Sequence, residues 1–469
     1  MNQIIWKFEK VAFPVTFFVS LYIFFSISKV NGIVSILFVV LLFLGGYYSS
    51  QKNSLVLILI CFYVWFVGPF SIAVASIIPT VIGTIVSHSI VDYIDNTQVI
   101  ISYCSKLVLF FVIFLFSSYA NDFFVIKEKT EMRTMGFLKI RSIIFWASIL
   151  AFFEAVVRKT FKINIPGFTP IIPFAGVILY IFQGCNMFFL FLALHFYMVK
   201  KTKISFKDVL KIVSVAIITQ IPNIIIGKRG GFLNTTLMII LFSCIMKLDM
   251  VNLRPTTKKR FYRIVFFSAL LLLLGVGVTN LFRVGQFETV GFLINRFTGL
   301  LDGVIAINGI GNSSAPYSLL DFFTTVIFGS EMTSNKYYTI NILGYSVTAV
   351  HSNAMPIFVG EWFYGGTWGI IVITIIESFV LTMFEKSIKR NVYSMGKYRF
   401  RIKKSAAIFC SLYLILLLFT FHFIDGNITS WKPFVPILIC YFLASVTKEN
   451  KDEFTIVDRN WICEKTKLQ

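Results

Sequence analysis

The sequence predicts an all-α polytopic membrane protein with about twelve transmembrane helices, built as one integral membrane domain over residues 1–469. Three observations predict it. Hydrophobic residues make up 57% of the chain, 54 of them Phe, while only 14% of residues are charged. Apolar runs of about 17 to 25 residues, the length a helix needs to cross ~30 Å of hydrocarbon, recur from end to end. The formal net charge of +21 is gathered into a few short loops.

In order, the runs predict helices at 11–28, 32–49, 54–75, 98–118, 142–158, 172–198, 209–226, 231–247, 263–282, 356–384, 405–423 and 432–447. The first follows Lys7 and Lys10 but lacks a small-residue cleavage pattern, so it reads as a retained span. Cys61, Cys104, Cys185, Cys244, Cys410 and Cys440 fall inside apolar runs and Cys463 in the tail, with no CxxC or Cys/His spacing. They read as packing residues, and neither a metal nor another cofactor is expected.

The basic residues fix the expected orientation. They cluster around Lys127–Arg141, Lys200–Lys211, Arg254–Arg263 and Lys386–Lys404. An even number of predicted spans separates each cluster from the next, so all four lie on one side. The positive-inside rule makes that side cytoplasmic, with both termini and the tail 448–469 inside. KYRFRIKK alternates cations with aromatics, but a short run beside a span is explained by topogenic charge near anionic headgroups, and no nucleic-acid partner is expected.

That parity turns outward the tip of the hairpin formed by 209–226 and 231–247. The tip carries Lys228 and Arg229 between Gly227 and Gly230–Gly231. A second outer loop carries Asp92 and Asp95, a third carries Arg158, Lys159 and Lys162, and residues 283–355 form the long external loop. Apolar residues at helical spacing after Arg283 predict a surface helix in that loop, with Arg296 near it. Beyond it, His351, Asn353 and Glu361 precede or enter the 356–384 span, followed by Gly365, Gly366 and Gly369. A carboxylate at a span mouth suggests function because burying it costs about 2.5–3.5 kcal/mol. A headgroup-level Glu361 beside an aromatic belt of Trp362, Tyr364 and Trp368 is the plain alternative. Glu154, Gln183 and Asn186 either line a cavity or bond between helices, and His195 reads as packed.

Lys228, Arg229, Arg283 and Arg296 are outward cations on separate segments, and their natural partner is an anion carried by a lipid. Arginine forks match phosphate oxygens, and flanking glycines admit phosphate to backbone amides.

The outward Gly-Lys-Arg-Gly tip, the late outer loop and the segment NAMPIFVGEWFYGGTWGI together resemble the bacterial O-antigen and capsule repeat-unit polymerases, the Wzy group. The resemblance implies the architecture of metal-independent membrane glycosyltransferases. It further implies transfer of a growing glycan from undecaprenyl diphosphate onto a second lipid-linked repeat unit, at the outer face of the bacterial cytoplasmic membrane. Lys228, Arg229, Arg283 and Arg296 would hold the diphosphate, although no R-x10-G pattern starts at Arg229, Arg283 or Arg296. Glu361 or His351 would be the base for the attacking hydroxyl, or Glu361 would orient the acceptor, with Asn353 and Tyr364 on the acceptor glycan. Implied partners are undecaprenyl-diphosphate-linked oligosaccharides, the lipid bilayer, a flippase and a chain-length regulator. The competing expectation is a transporter, above all a flippase for such lipids. Transporters usually carry internal repeats, and residues 1–225 and 226–469 show none.

Overall fold

The computed structural model describes residues 54–65, 67–68, 97–121, 140–162, 181–182, 184–192, 194, 206–225, 235–236, 238–239, 266–268, 270–271, 273–279, 281, 306–309, 315–328, 337–342, 344, 356–397, 408–415 and 437. The named helices are α1 (Leu55–Trp65), α2 (Thr97–Asn121), α3 (Ile140–Thr160), α4 (Phe206–Ile225), α5 (Leu319–Phe328), α6 (Ile357–Phe363) and α7 (Thr367–Lys397), with a π-helical turn at Tyr338–Ile342. Among the described residues there is no strand, and the one β-type pairing is an isolated parallel bridge between Tyr317 and Tyr364.

Residues Gln98–Ala120 of α2 and Thr367–Ile388 of α7 are long and apolar enough to cross a membrane. A helix closes its backbone hydrogen bonds within itself, which is why such Phe-, Val- and Ile-rich runs fold as helices in hydrocarbon despite their modest helix propensity. The side chains of three helices are arranged inside-out. In α3, Phe145, Trp146, Phe152 and Phe153 are exposed while Ala147, Ala151, Glu154 and Arg158 are buried. In α4, Ile217 and Ile221 face outward while Thr219, Gln220 and Asn223 are buried. In α7, Ile375 and Phe379 are exposed, whereas Thr374, Glu377, Ser378 and Glu385 are buried. Water would reverse each choice, whereas a lipid surround favours it: apolar groups face the chains and polar groups find partners within the protein.

The partners give the helix directions. Along α2 and the α6–α7 pair, Tyr103 meets Phe358 (5.0 Å between ring centroids) and Ser118 meets Ser378 (3.0 Å between hydroxyls). Rising numbers match rising numbers, so these helices run parallel. Against them α1 is antiparallel: the Ser54 hydroxyl donates to Glu385 (2.6 Å) and the Ile357 amide donates to the Tyr63 hydroxyl (2.6 Å). The four helices form one packed group, and α3 packs on α4.

Several sequence expectations find their counterparts here. α2, α3 and α4 fall on the runs 98–118, 142–158 and 209–226. Gln220 donates to Thr235, joining the two arms of the expected 209–247 hairpin. The run 356–384 differs: instead of one helix it is α6 and α7 with a break between them. Arg158 also differs. Rather than an outer-loop cation, it is a buried residue of α3, donating to Glu154 from Nε (3.0 Å) and Nη2 (2.5 Å), with the Asn186 amide on the other Glu154 oxygen (2.8 Å). The i, i+4 spacing puts both side chains on one face, and Glu154 balances a charge that hydrocarbon would not accept alone. The runs 11–28 and 32–49, the Asp92 and Asp95 loop, His195, the expected surface helix after Arg283 and the tail 448–469 lie outside the described residues. The runs 54–75, 172–198, 231–247, 263–282, 405–423 and 432–447 are described in part.

Candidate functional site at the broken helix

The break lies inside the segment GEWFYGGTWG. α6 ends when Tyr364 leaves helical geometry (φ −101°, ψ 72°), and Gly365 (φ 97°) and Gly366 (φ 64°) then adopt left-handed conformations that favour glycine. Gly369, in the first turn of α7, is required for another reason: a Cβ there would land on the carbonyl oxygens of Glu361 and Tyr364.

A broken helix frees backbone groups, and here the segment around Tyr317 takes them up. The Tyr317 amide donates to the Phe363 carbonyl (3.0 Å), and the Gly365 amide donates to the Tyr317 carbonyl (2.8 Å). The Tyr317 ring stacks on Tyr364 (5.3 Å) and meets Tyr337 edge-on (5.7 Å), while Tyr337 meets Phe363 (5.8 Å). Residues 315–328 and 337–342 of the long loop are therefore seated on the joint between α6 and α7. Each aromatic pair adds about 0.5–1.5 kcal/mol beyond its area. Burial pushes the Tyr317 phenol up to about 12, and Tyr364, Tyr337 and Asp321 add to the rise.

The Ser318 hydroxyl and amide each donate to Asp321 Oδ2 (2.7 Å and 2.7 Å), and the Asp321 amide returns a bond to Ser318 Oγ (3.3 Å). This is a capping box at the start of α5. The Ser318 bonds hold the Asp321 carboxyl below the usual carboxylate range.

Beneath the joint, Glu361 has no exposed surface. The Thr374 hydroxyl donates to its Oε2 (2.8 Å), a bond that a single straight helix would forbid, since residues thirteen apart would be separated by about 20 Å. Among the described residues Glu361 Oε1 receives no hydrogen bond, and the Glu377 carboxyl lies beside Glu361. Tyr63 of α1 lies within electrostatic reach of both carboxyls. Lys106 of α2 sits 4.7 Å above the Trp362 ring and donates to Ser102 Oγ (2.8 Å).

Two of the candidate residues read from sequence therefore lie at this joint, both buried: Glu361 accepts from Thr374 of α7, and Tyr364 stacks on Tyr317. Of the aromatics around them, Trp362 is buried and Trp368 is exposed, as a lipid-interface residue would be. His351, Asn353, Lys228, Arg229, Arg283 and Arg296 lie outside the described residues. Thr374, Glu377 and Glu385 were not singled out from the sequence, although 374, 377, 378 and 385 recur at helical spacing in an apolar run, which is the signal that finds them. Among the described residues no group of three or more His, Cys, Asp or Glu is arranged to hold a metal ion.

Comparison with protein-family models, curated proteins and solved structures finds no match to the chain.

Proposed function

We propose that this protein is a membrane glycosyltransferase of the repeat-unit polymerase type. It joins undecaprenyl-diphosphate-linked oligosaccharides into a surface polysaccharide at the outer face of the bacterial cytoplasmic membrane. The observation that carries the reading is the joint itself. The Gly-Glu-x-x-Tyr block that resembles the polymerases is where α6 breaks from α7, where the long loop is seated and where a carboxylate is buried. The parallel course of α2 and α7 adds support: two parallel spans require an odd number of crossings between them, and five runs are expected between 121 and 356.

In this reading Lys228, Arg229, Arg283 and Arg296 hold the donor diphosphate and stabilise its charge as it leaves. Glu361 or His351 takes the proton of the attacking hydroxyl, or Glu361 orients the acceptor with Asn353 and Tyr364. The bond from the anomeric carbon to the diphosphate breaks, a bond to the acceptor oxygen forms, and configuration inverts. A flippase for the same lipids is the second reading, because broken spans with buried ionisable groups are also how transporters build mid-membrane sites.

Arg229→Ala separates the two in cells. A polymerase lacking its diphosphate contact leaves single repeat units at the surface, and Arg229→Lys restores little because lysine lacks the bidentate fork. Normal long-chain glycan in Arg229→Ala cells contradicts the diphosphate role, and loss of surface single units favours the flippase.

A further inference from the structure

We propose that Glu361 and Glu377 form a one-proton carboxyl pair, a proton-binding site built across the break between α6 and α7. Both side chains are buried, and their carboxyl groups lie close to one another. Carboxylate oxygens only accept hydrogen bonds, so two carboxyls can bond to each other only if one carries a proton. Two like charges in contact away from water do not both persist, whereas one proton shared between them leaves a single spread charge.

Among the described residues, nothing else around the pair holds two negative charges. From α6 and α7 come Glu361, Thr374 and Glu377, with Glu385 two turns further along and bonded to Ser54 of α1. α1 presents the neutral Tyr63 hydroxyl, whose oxygen already accepts from the Ile357 amide. α2 presents Lys106, whose ammonium is taken up by the Trp362 ring and Ser102, and Ser118, which bonds Ser378. Among the described residues neither Glu361 nor Glu377 has a cationic partner, and Thr374 is the one hydroxyl donating to the pair. Glu361 Oε1 is buried and has no donor among the described residues, and a proton on the Glu377 carboxyl would give it one.

Glu377 follows the start of α7 by ten residues, about 15 Å along the apolar stretch Thr367–Ile388, which is long enough to cross a ~30 Å hydrocarbon layer. Because Glu361 belongs to one helix and Glu377 to the other, the proton also ties the two helices together at the joint on which Tyr317 is seated. Removal of the proton would leave two adjacent carboxylates pushing α6 and α7 apart.

The site does not depend on glycan transfer and is tested without it. Full-length protein in lipid nanodiscs is treated at neutral pH with a membrane-soluble carbodiimide, which adds to protonated carboxyls in apolar surroundings, and adducts are mapped by mass spectrometry. One adduct per chain is expected, on Glu361 or Glu377, and no protection by sodium ion. Infrared spectroscopy of the same samples should show the carbonyl stretch of a protonated carboxylic acid. That band should be lost in both Glu361→Gln and Glu377→Gln, where the glutamine amide becomes the donor and the remaining carboxyl needs no proton. The wild-type adduct decides the matter even if a variant fails to fold. Absence of an adduct at both positions, a band unchanged in both variants, or protection by sodium, which would make this a metal-cation site, each overturns the proposal.

Discussion

Glu361 and Arg158 are both buried charges, but the structure handles them differently. Arg158 has its countercharge one helical turn away, so its removal leaves Glu154 with only the Asn186 amide and no countercharge. Arg158→Ala is expected to lower stability by about 3–5 kcal/mol, and a joint Arg158→Met, Glu154→Leu replacement to recover most of that loss. Thermal unfolding of the purified protein in detergent checks both, and an unaffected Arg158→Ala protein would contradict the burial. Glu361 depends on Thr374 instead. Thr374→Val keeps the shape and deletes the donor to Oε2, a bond worth about 1.5–3 kcal/mol when the acceptor is charged. In the transfer reading, that loss of alignment is expected to slow glycan joining by roughly 10- to 100-fold while protein levels in the membrane stay near normal. Joining rate divided by protein level, measured in cells, is the readout.

At the scale of elements, the joint and the cap in the outer loop are the parts under local control. Gly369→Ala puts a methyl onto two backbone carbonyls that cannot swing away, so it should destabilise the α6–α7 joint by about 1–3 kcal/mol and release residues 315–328 from it. Hydrogen exchange at the Tyr317 and Gly365 amides would report that release, and unchanged protection would contradict it. The cap of α5 is pH-dependent. The Asp321 carboxyl titrates lower when folded than when unfolded, so its contribution is complete above the unfolded value and disappears as pH falls through the folded one. Amides of 319–328 should lose protection under acid in the wild type, and Asp321→Asn should remove that dependence. Ser318→Ala is expected to weaken the cap by about 1 kcal/mol at neutral pH. Run positions are legible in the sequence at this scale, since α2, α3 and α4 fall on the apolar runs 98–118, 142–158 and 209–226. The break in 356–384 was announced only by Gly365–Gly366–Thr367, since glycines within a span serve equally for close helix approach. Once the break is missed, contacts between residues 361 and 377 cannot be anticipated, because a straight helix holds them far apart.

For the whole molecule, the inside-out helices and the parallel pairing of α2 with α7 give the frame, while the orientation of that frame rests on charge. Lys228, Arg229, Arg283 and Arg296 are legible as residues, but whether they converge is a matter of tertiary placement that spacing does not encode. Glu154 with Asn186 shows the same divide: both were visible as polar residues in apolar runs, and only packing reveals that they bond to each other. Cysteines introduced at Lys203, Lys259 and Arg399 should be labelled from the cytoplasm, and those at Lys228 and Asn312 from outside; labelling of position 228 only from the cytoplasm would overturn the hairpin orientation. Glycan joining can be assayed with the purified protein alone. Purified protein in lipid vesicles is supplied with undecaprenyl-diphosphate-linked repeat units, and products are sized by gel and mass spectrometry. Chains lengthening by whole repeat units without nucleotide sugar, ATP or added metal is the predicted result, because the diphosphate leaving group supplies the drive. Movement of those lipids across the vesicle bilayer with no lengthening would contradict it.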